Sequence, residues 1–209
     1  MRLSGKIGSN WRVRLSESVE AWVEQRAIRL LPPGTQPAWD YLTSFTVTGD
    51  EKYDVIYIPN SARVPFRVRP IDEPNGLWID LYGITANTTW ITQHLEAKGI
   101  KRVNWEQIEP SLYRLMVELE YAQLWGYEAT QEGNTLVVRI KRPPVIAGPP
   151  GSPVAGLLIA LEAGHGGPTN VGARGLSGTL EKDVNYGTTI KLAALLEQRG
   201  ARIVMLRRG

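Results

Sequence analysis

The 209-residue sequence contains no cysteine, which excludes disulfides and every thiolate metal site and leaves the redox compartment open. Histidine is nearly as scarce: His94 and His165 confine imidazole chemistry to two positions. No apolar run approaches the ~20 residues that a membrane-spanning helix needs. The opening Met1-Arg-Leu-Ser-Gly-Lys6 also lacks the apolar segment of a secretory leader. Most of the chain has no excess of basic charge. Residues 1–150 carry 17 Lys and Arg against 17 Asp and Glu, and the formal net charge of +3 arises in residues 151–209, with 7 against 4. A nucleic-acid partner would need a basic stripe on a folded domain and is not expected. Nucleotide fingerprints are missing as well. In Gly164-His-Gly-Gly-Pro-Thr-Asn170 a threonine stands where the dinucleotide motif has its third glycine, and no Gly-Lys-Ser/Thr follows.

What is present suits a folded chain: 43% hydrophobic residues against 22% charged ones can bury a sizeable core. Proline and glycine punctuate it at Arg142-Pro-Pro-Val-Ile-Ala-Gly-Pro-Pro-Gly-Ser-Pro153 and, to a lesser degree, at Leu31-Pro-Pro-Gly-Thr-Gln-Pro37. The expected organisation is a partial β segment over 1–33, a β-sandwich over 37–143, a linker over 144–153 and an α/β piece over 154–209. In the first piece, Trp11-Arg-Val-Arg-Leu15, Ala21-Trp-Val23 and Ala27-Ile-Arg-Leu30 read as three strands at the end of a small barrel. The second alternates with period two at Ser44–Val47, Tyr53–Ile58, Val64–Val68, Leu77–Tyr82, Val103–Trp105, Tyr113–Leu119 and Thr135–Ile140. Turn formers at 48–51, 73–76 and 131–134 separate these stretches, so the pattern predicts an antiparallel sandwich. The segment Trp90-Ile-Thr-Gln-His-Leu95 reads as a short helical excursion.

The last piece changes character. Leu157-Leu-Ile-Ala-Leu161 is a continuous apolar run, as in a strand covered on both faces. A Gly-rich loop follows over 164–178. Residues 181–199 then read as a helix with Val184, Thr188, Leu192, Leu195 and Leu196 on one face, and Gly200 at its stop. Arg202-Ile-Val-Met-Leu-Arg207 is the next strand, which completes a βαβ unit with a parallel pair.

His165 follows the carboxyl end of the first of those strands, where sites form in open α/β sheets. Glu181, sixteen residues later, opens the helix, and the topology brings both to one rim. An imidazole with a carboxylate suits a divalent metal, zinc most readily. Equally, His165 could simply line a turn while Glu181 complements the helix dipole. His94, beside Leu95 and Trp90, reads as a structural or surface histidine. Of the seven tryptophans, Trp78 and Trp105 sit within strand patterns and read as core; Trp39 and Trp90 are the candidates for stacking on sugars.

Leu158-Ile-Ala-Leu-Glu-Ala-Gly-His-Gly-Gly167, Gly172-Ala-Arg-Gly175 and Gly178-Thr-Leu-Glu-Lys-Asp-Val-Asn185 together resemble the zinc-dependent N-acetylmuramoyl-L-alanine amidases of the amidase-3 family. The resemblance implies that His165 and Glu181 bind Zn2+. Glu162-Ala163 stands where the family has Asp-Pro, so Glu162 takes the place of the carboxylate that supports the ligands. The family's second zinc-binding histidine and its late catalytic glutamate would lie beyond Gly209, which implies a chain incomplete at its C-terminus and inactive alone. Residues 37–143 resemble the AMIN domain through Val64-Pro-Phe-Arg-Val68, Leu77-Trp-Ile-Asp-Leu-Tyr-Gly83, Trp125-Gly-Tyr127 and Glu132-Gly-Asn-Thr-Leu-Val-Val-Arg-Ile140. Residues 10–31 are similar to the end of a bacterial SH3-like module.

The fold class expected is therefore multidomain: an all-β, AMIN-like sandwich followed by the start of an α/β hydrolase domain, one βαβ unit. The function implied is peptidoglycan hydrolysis, by zinc-activated water, at the amide between N-acetylmuramic acid and L-alanine. Peptidoglycan is the expected partner, and the location extracellular or periplasmic at the cell wall, which implies a chain that also lacks its natural N-terminus. A competing reading is a non-catalytic wall-binding β protein with a vestigial amidase segment. Another, a cytosolic sandwich with an accidental Gly-His-Gly-Gly loop, predicts that His165 and Glu181 lie far apart.

Overall fold

Period-two patterning dominates the computed structural model, which describes residues 2–37, 39–146 and 152–207. The expected linker falls largely outside those residues, at 147–151. The chain divides into two units, Met1–Pro143 and Pro144–Gly209.

The first unit begins with a three-stranded antiparallel meander, β1 (Arg2–Ile7), β2 (Asn10–Arg14) and β3 (Glu20–Glu24). The expected third strand over 27–30 does not form. A 3-10 turn at Gln25–Ala27 interrupts the ladder, and Ile28 and Leu30 continue as extended chain with no partner strand among the described residues. The strand that completes the meander is instead β1, where Ser4-Gly5-Lys6 offers backbone pairing without an apolar signal.

Nine further strands form the sandwich. β4 (Asp40–Gly49), β5 (Tyr53–Pro59), β8 (Ile84–Gln93), β11 (Tyr127–Glu132) and β12 (Thr135–Lys141) make one sheet in the order β11-β12-β5-β4-β8. β6 (Phe66–Ile71), β7 (Gly76–Tyr82), β9 (Ile100–Glu109) and β10 (Leu112–Leu119) make the other, in the order β6-β7-β10-β9. Inward residues of both sheets, among them Phe45, Ile56, Leu77, Ile79, Leu115 and Val138, share one core. Each such side chain contributes about 1.5–3 kcal/mol by leaving water. Two expectations are corrected. Trp90–Leu95 is not helical, since Trp90 to Gln93 belong to strand β8, and β8 pairs with β4 in parallel, so the sandwich is not wholly antiparallel. The parallel pair arises because the chain leaves β7 in one sheet and enters β8 in the other through Gly83 alone, at φ 82°, a conformation that glycine adopts without steric cost. Of the two tryptophans expected in the core, Trp105 is half-buried and stacks on Tyr113 at 5.4 Å. Trp78 alternates out of the core, because Leu77, Ile79 and Leu81 take the inward positions of β7, and lies under the Arg114 guanidinium at 4.2 Å.

The small sheet is tied to the sandwich by Glu109, which accepts the Glu17 and Ser18 amides at 2.6 and 3.2 Å and the Ser18 hydroxyl. Burial alone would raise the Glu109 carboxyl, but hydrogen bonds from the Ser18 and Ser16 hydroxyls and from the two amides hold it below the ordinary glutamate range. A lowered folded value means that the tie is fully present above the unfolded glutamate value, about 4.3, and is lost as pH falls through the folded one. Protection of the Glu17 and Ser18 amides, taken against the intrinsic exchange rate at each pH, is therefore expected to fall on acidification below that range. Glu109→Gln should show the low protection already at neutral pH, and protection unchanged in that variant would refute the role.

The second unit holds β13 (Leu158–Leu161), α1 (Glu181–Gln198) and β14 (Arg202–Met205), with β13 and β14 paired in parallel from Leu158↔Arg202 to Leu161↔Met205. One face of this pair is open, however: Leu158 is 64% exposed and Ala160 is exposed, so β13 is not the doubly covered strand that its apolar run predicts. Of the apolar face expected of α1, only Leu196 turns inward. Val184, Thr188, Leu192 and Leu195 face solvent, whereas Asn185, Tyr186, Thr189, Ala193 and Leu196 are buried or half-buried. Apolar residues surround this helix on all sides, and the contacts of Asn185 and Tyr186 with the Gly-rich loop and Arg207 set which side turns inward. No helix among the described residues is long and apolar enough to cross a membrane.

Candidate functional site

Leaving β13 at Leu161, the chain makes a nineteen-residue loop before α1 begins at Glu181. Two isolated bridges fold this loop on itself, Gly166 with Asn170 and Arg174 with Leu180. It then caps the helix: the Glu181 amide donates to the Ala173 carbonyl at 2.9 Å and the Lys182 amide to Val171 at 3.2 Å, which satisfies N–H groups that an α-helix leaves unpaired. Lys182 Nζ donates to the Gly167 carbonyl at 2.9 Å, and Asn185 Nδ2 to Gly164 at 3.2 Å. On the other side Arg207 Nη1 donates to the His165 carbonyl at 2.5 Å and to Lys182 at 3.4 Å, with its guanidinium over the Tyr186 ring.

Within this frame His165 Nε2 stands 3.3 Å from Glu181 Oε1. The two residues do meet on one rim, which removes the reading in which they are far apart. His165 has φ 59°, a left-handed conformation that costs a non-glycine residue about 1–3 kcal/mol and persists where surroundings over-determine it. Its Nδ1 lies 2.8 Å from Asn170 Oδ1. With that oxygen as acceptor, Nδ1 carries the proton and Nε2 presents a lone pair. Glu181 is divided in the same way: Oε2 accepts the Ala173 amide at 2.8 Å, leaving Oε1 towards the imidazole. The Ala173 amide, against some desolvation, holds the Glu181 carboxyl below the ordinary glutamate range. Both side chains remain open to water, at 35% and 41% exposure.

A neutral Nε2 and a carboxylate Oε1 are both acceptors, and only a cation placed between them, a proton or a metal ion, makes that facing favourable. The nitrogen and oxygen donors suit zinc. Gly172 leaves room for them: at φ 70°, a Cβ there would lie 2.6 Å from Glu181 Oε2 and 2.7 Å from His165 Cδ2. Two donors are what the pair supplies. No group of three or more His, Cys, Asp or Glu side chains converges among the described residues. Glu162 follows β13 directly and is exposed, with no hydrogen bond to His165 or Glu181 among the described residues. His94 is exposed beyond the end of β8, its amide donating to Val47. Sequence reasoning gave no role to Asn170 and Arg207 and took Gly172 only as part of the Gly172–Gly175 motif; all three act through loop contacts that no periodicity encodes.

Residues 159–209 match the sequence profile of the Amidase_3 family, N-acetylmuramoyl-L-alanine amidase. The match spans most of β13, the loop, α1 and β14, and so contains His165, Asn170, Gly172 and Glu181. It supports amidase function for this part of the chain at the level of the family. No curated protein matches the chain.

Proposed function

We propose that residues 154–209 are part of a zinc-dependent peptidoglycan amidase, and that the β-rich residues ahead of them, an SH3-like segment at 1–33 and an AMIN-like sandwich at 37–143, attach it to the cell wall outside the cytoplasm. The reading rests on one observation: His165 and Glu181 face each other at 3.3 Å inside the segment that matches the amidase family. In this reading the two residues hold Zn2+ through Nε2 and Oε1. The metal, when bound, supplies an acidified water and polarises the carbonyl of the amide between N-acetylmuramic acid and L-alanine. Asn170 fixes the imidazole tautomer and aims Nε2, the role that a hydrogen-bonded partner plays behind a metal-binding histidine. The Ala173 amide keeps the Glu181 carboxylate ionised and in place. Arg207 and Lys182 clamp the loop so that the rim keeps its shape.

Zinc competition against a chelating indicator tests this. Two donors predict weak binding, with Kd in the micromolar range or above, and His165→Ala and Glu181→Gln should each weaken it by about tenfold or more. Binding unchanged in both variants would overturn the ligand assignment, as would nanomolar affinity that survives them. The 209-residue chain is also expected to release no peptide from purified peptidoglycan; zinc-dependent release would refute that expectation.

A further inference from the structure

The first unit contains a cavity of about 670 Å3 between the β1–β3 sheet and the sandwich, within the size range of small-ligand sites. Three arginines, Arg2, Arg14 and Arg63, line it against one carboxylate, Glu17. Little of that positive charge is used. Arg14 reaches Glu20 only at 3.7 Å in solvent, and Arg63 bonds the Gly133 carbonyl through Nε, which leaves its terminal nitrogens without a hydrogen bond among the described residues. Tyr82 lines the same cavity; it is 2% exposed, and its hydroxyl has no hydrogen-bond partner among the described residues. Burial, with the Asp80 charge adding, pushes the Tyr82 phenol above the ordinary tyrosine value, so it remains a donor at any physiological pH. At the mouth stands Trp39, its indole 53% exposed. The rest of the wall is largely apolar.

We infer that this cavity binds an acidic saccharide, with a sugar ring against Trp39 and its carboxylate held by the arginines and the Tyr82 hydroxyl. Guanidinium forks match carboxylate geometry, and the Tyr82 hydroxyl, with no protein partner among the described residues, is a further donor for it. An aromatic face at a half-open mouth offers a ring both apolar contact and access to water. A small inorganic anion would engage the arginines yet leave the indole and the apolar wall uncovered. The chemistry stands on the cavity alone; that the natural ligand is wall glycan whose muramic carboxylates have been freed of peptide rests on the attachment reading above.

Calorimetric titration of the full chain with N-acetylmuramic acid, its methyl ester, N-acetylglucosamine and inorganic phosphate tests the inference. The free acid should bind, the ester and the neutral sugar about tenfold more weakly or worse. Arg63→Gln and Trp39→Ala, both at exposed positions, should each weaken the acid by about fivefold or more with an unchanged melting temperature. Equal binding of acid and ester, wild-type affinity in both variants, or phosphate binding as well as the sugar acid would overturn it. Sedimentation with purified sacculi, both intact and stripped of peptide by an amidase, separates the two readings. If the chain co-sediments but the titrations show no binding, the cavity assignment fails and wall attachment stands. If it does not co-sediment while the sugar acid binds, wall attachment fails and the cavity assignment stands.

Discussion

Arg142→Met is expected to destabilise the first unit by about 3–5 kcal/mol, the scale on which a buried ion pair loses one partner. Asp54 is the reason: its side chain is 1% exposed, and Arg142 covers it, with Nε and Nη2 donating to Oδ1 at 2.8 and 2.5 Å. The same guanidinium donates to the carbonyls of Asp50 and Glu96, so one side chain joins the end of β12 to the β4–β5 turn and to the segment that precedes β9. Close packing leaves no slack: a Cβ on Gly99 would meet Asp54 Oδ2 at 2.3 Å. Methionine fills similar volume but leaves a carboxylate uncompensated in the interior. Replacing both partners, as Asp54→Leu with Arg142→Met, should recover much of the loss, because the penalty belongs to the unpaired charge rather than to the missing attraction. Urea denaturation of the three chains measures this. A single variant within 1 kcal/mol of the parent would show that the pair does not hold the unit together.

Within the sandwich, the strands that sequence reading found carry inward apolar residues, and the two that it missed lie at the edges of the five-stranded sheet. In β7 and β10, Leu77, Ile79 and Leu81 and then Leu115 and Val117 alternate with polar or outward residues, and burial makes that alternation visible. β8 and β11 end the five-stranded sheet, and their sequences, Ile84-Thr-Ala-Asn-Thr-Thr-Trp-Ile-Thr-Gln93 and Tyr127-Glu-Ala-Thr-Gln-Glu132, pair through backbone with little apolar content. An edge strand needs no apolar face, so it leaves a faint pattern. Parallel pairing of β4 with β8 is a long-range choice that no local window contains. In the second unit the strand–helix–strand order was legible and so was the meeting of His165 with Glu181, since both follow from short-range periodicity plus one topological rule. The inward face of α1 was not, because loop contacts rather than an apolar stripe decide it.

Gly172→Ala should dismantle the His165–Glu181 pair without touching either residue. Two effects act together. A φ of 70° is a conformation that alanine occupies only at a cost of about 1 kcal/mol or more. The added methyl would also lie within 2.6–2.8 Å of Glu181 Oε2, His165 Cδ2 and Glu181 Cβ, closer than any real contact, so the backbone at Glu181 or at 172 must shift and one of the two side chains must leave. Glu181 is the one free to swing, since the imidazole is held by Asn170 at Nδ1 and by the backbone clamp from Arg207. Its departure frees the Ala173 amide, whose hydrogen bond is the main reason that the carboxyl lies below the ordinary range. Two readouts follow with opposite signs. The Glu181 titration, followed by carboxyl carbon NMR, should move up towards the ordinary glutamate range, while protection of the Ala173 amide against exchange should fall. Melting of the first unit should not change, which separates a local rearrangement from general unfolding. An alanine variant that keeps the low Glu181 titration and the slow Ala173 amide would show that the loop can yield at position 172, and the close fit around the pair would then have no bearing on what the rim can hold.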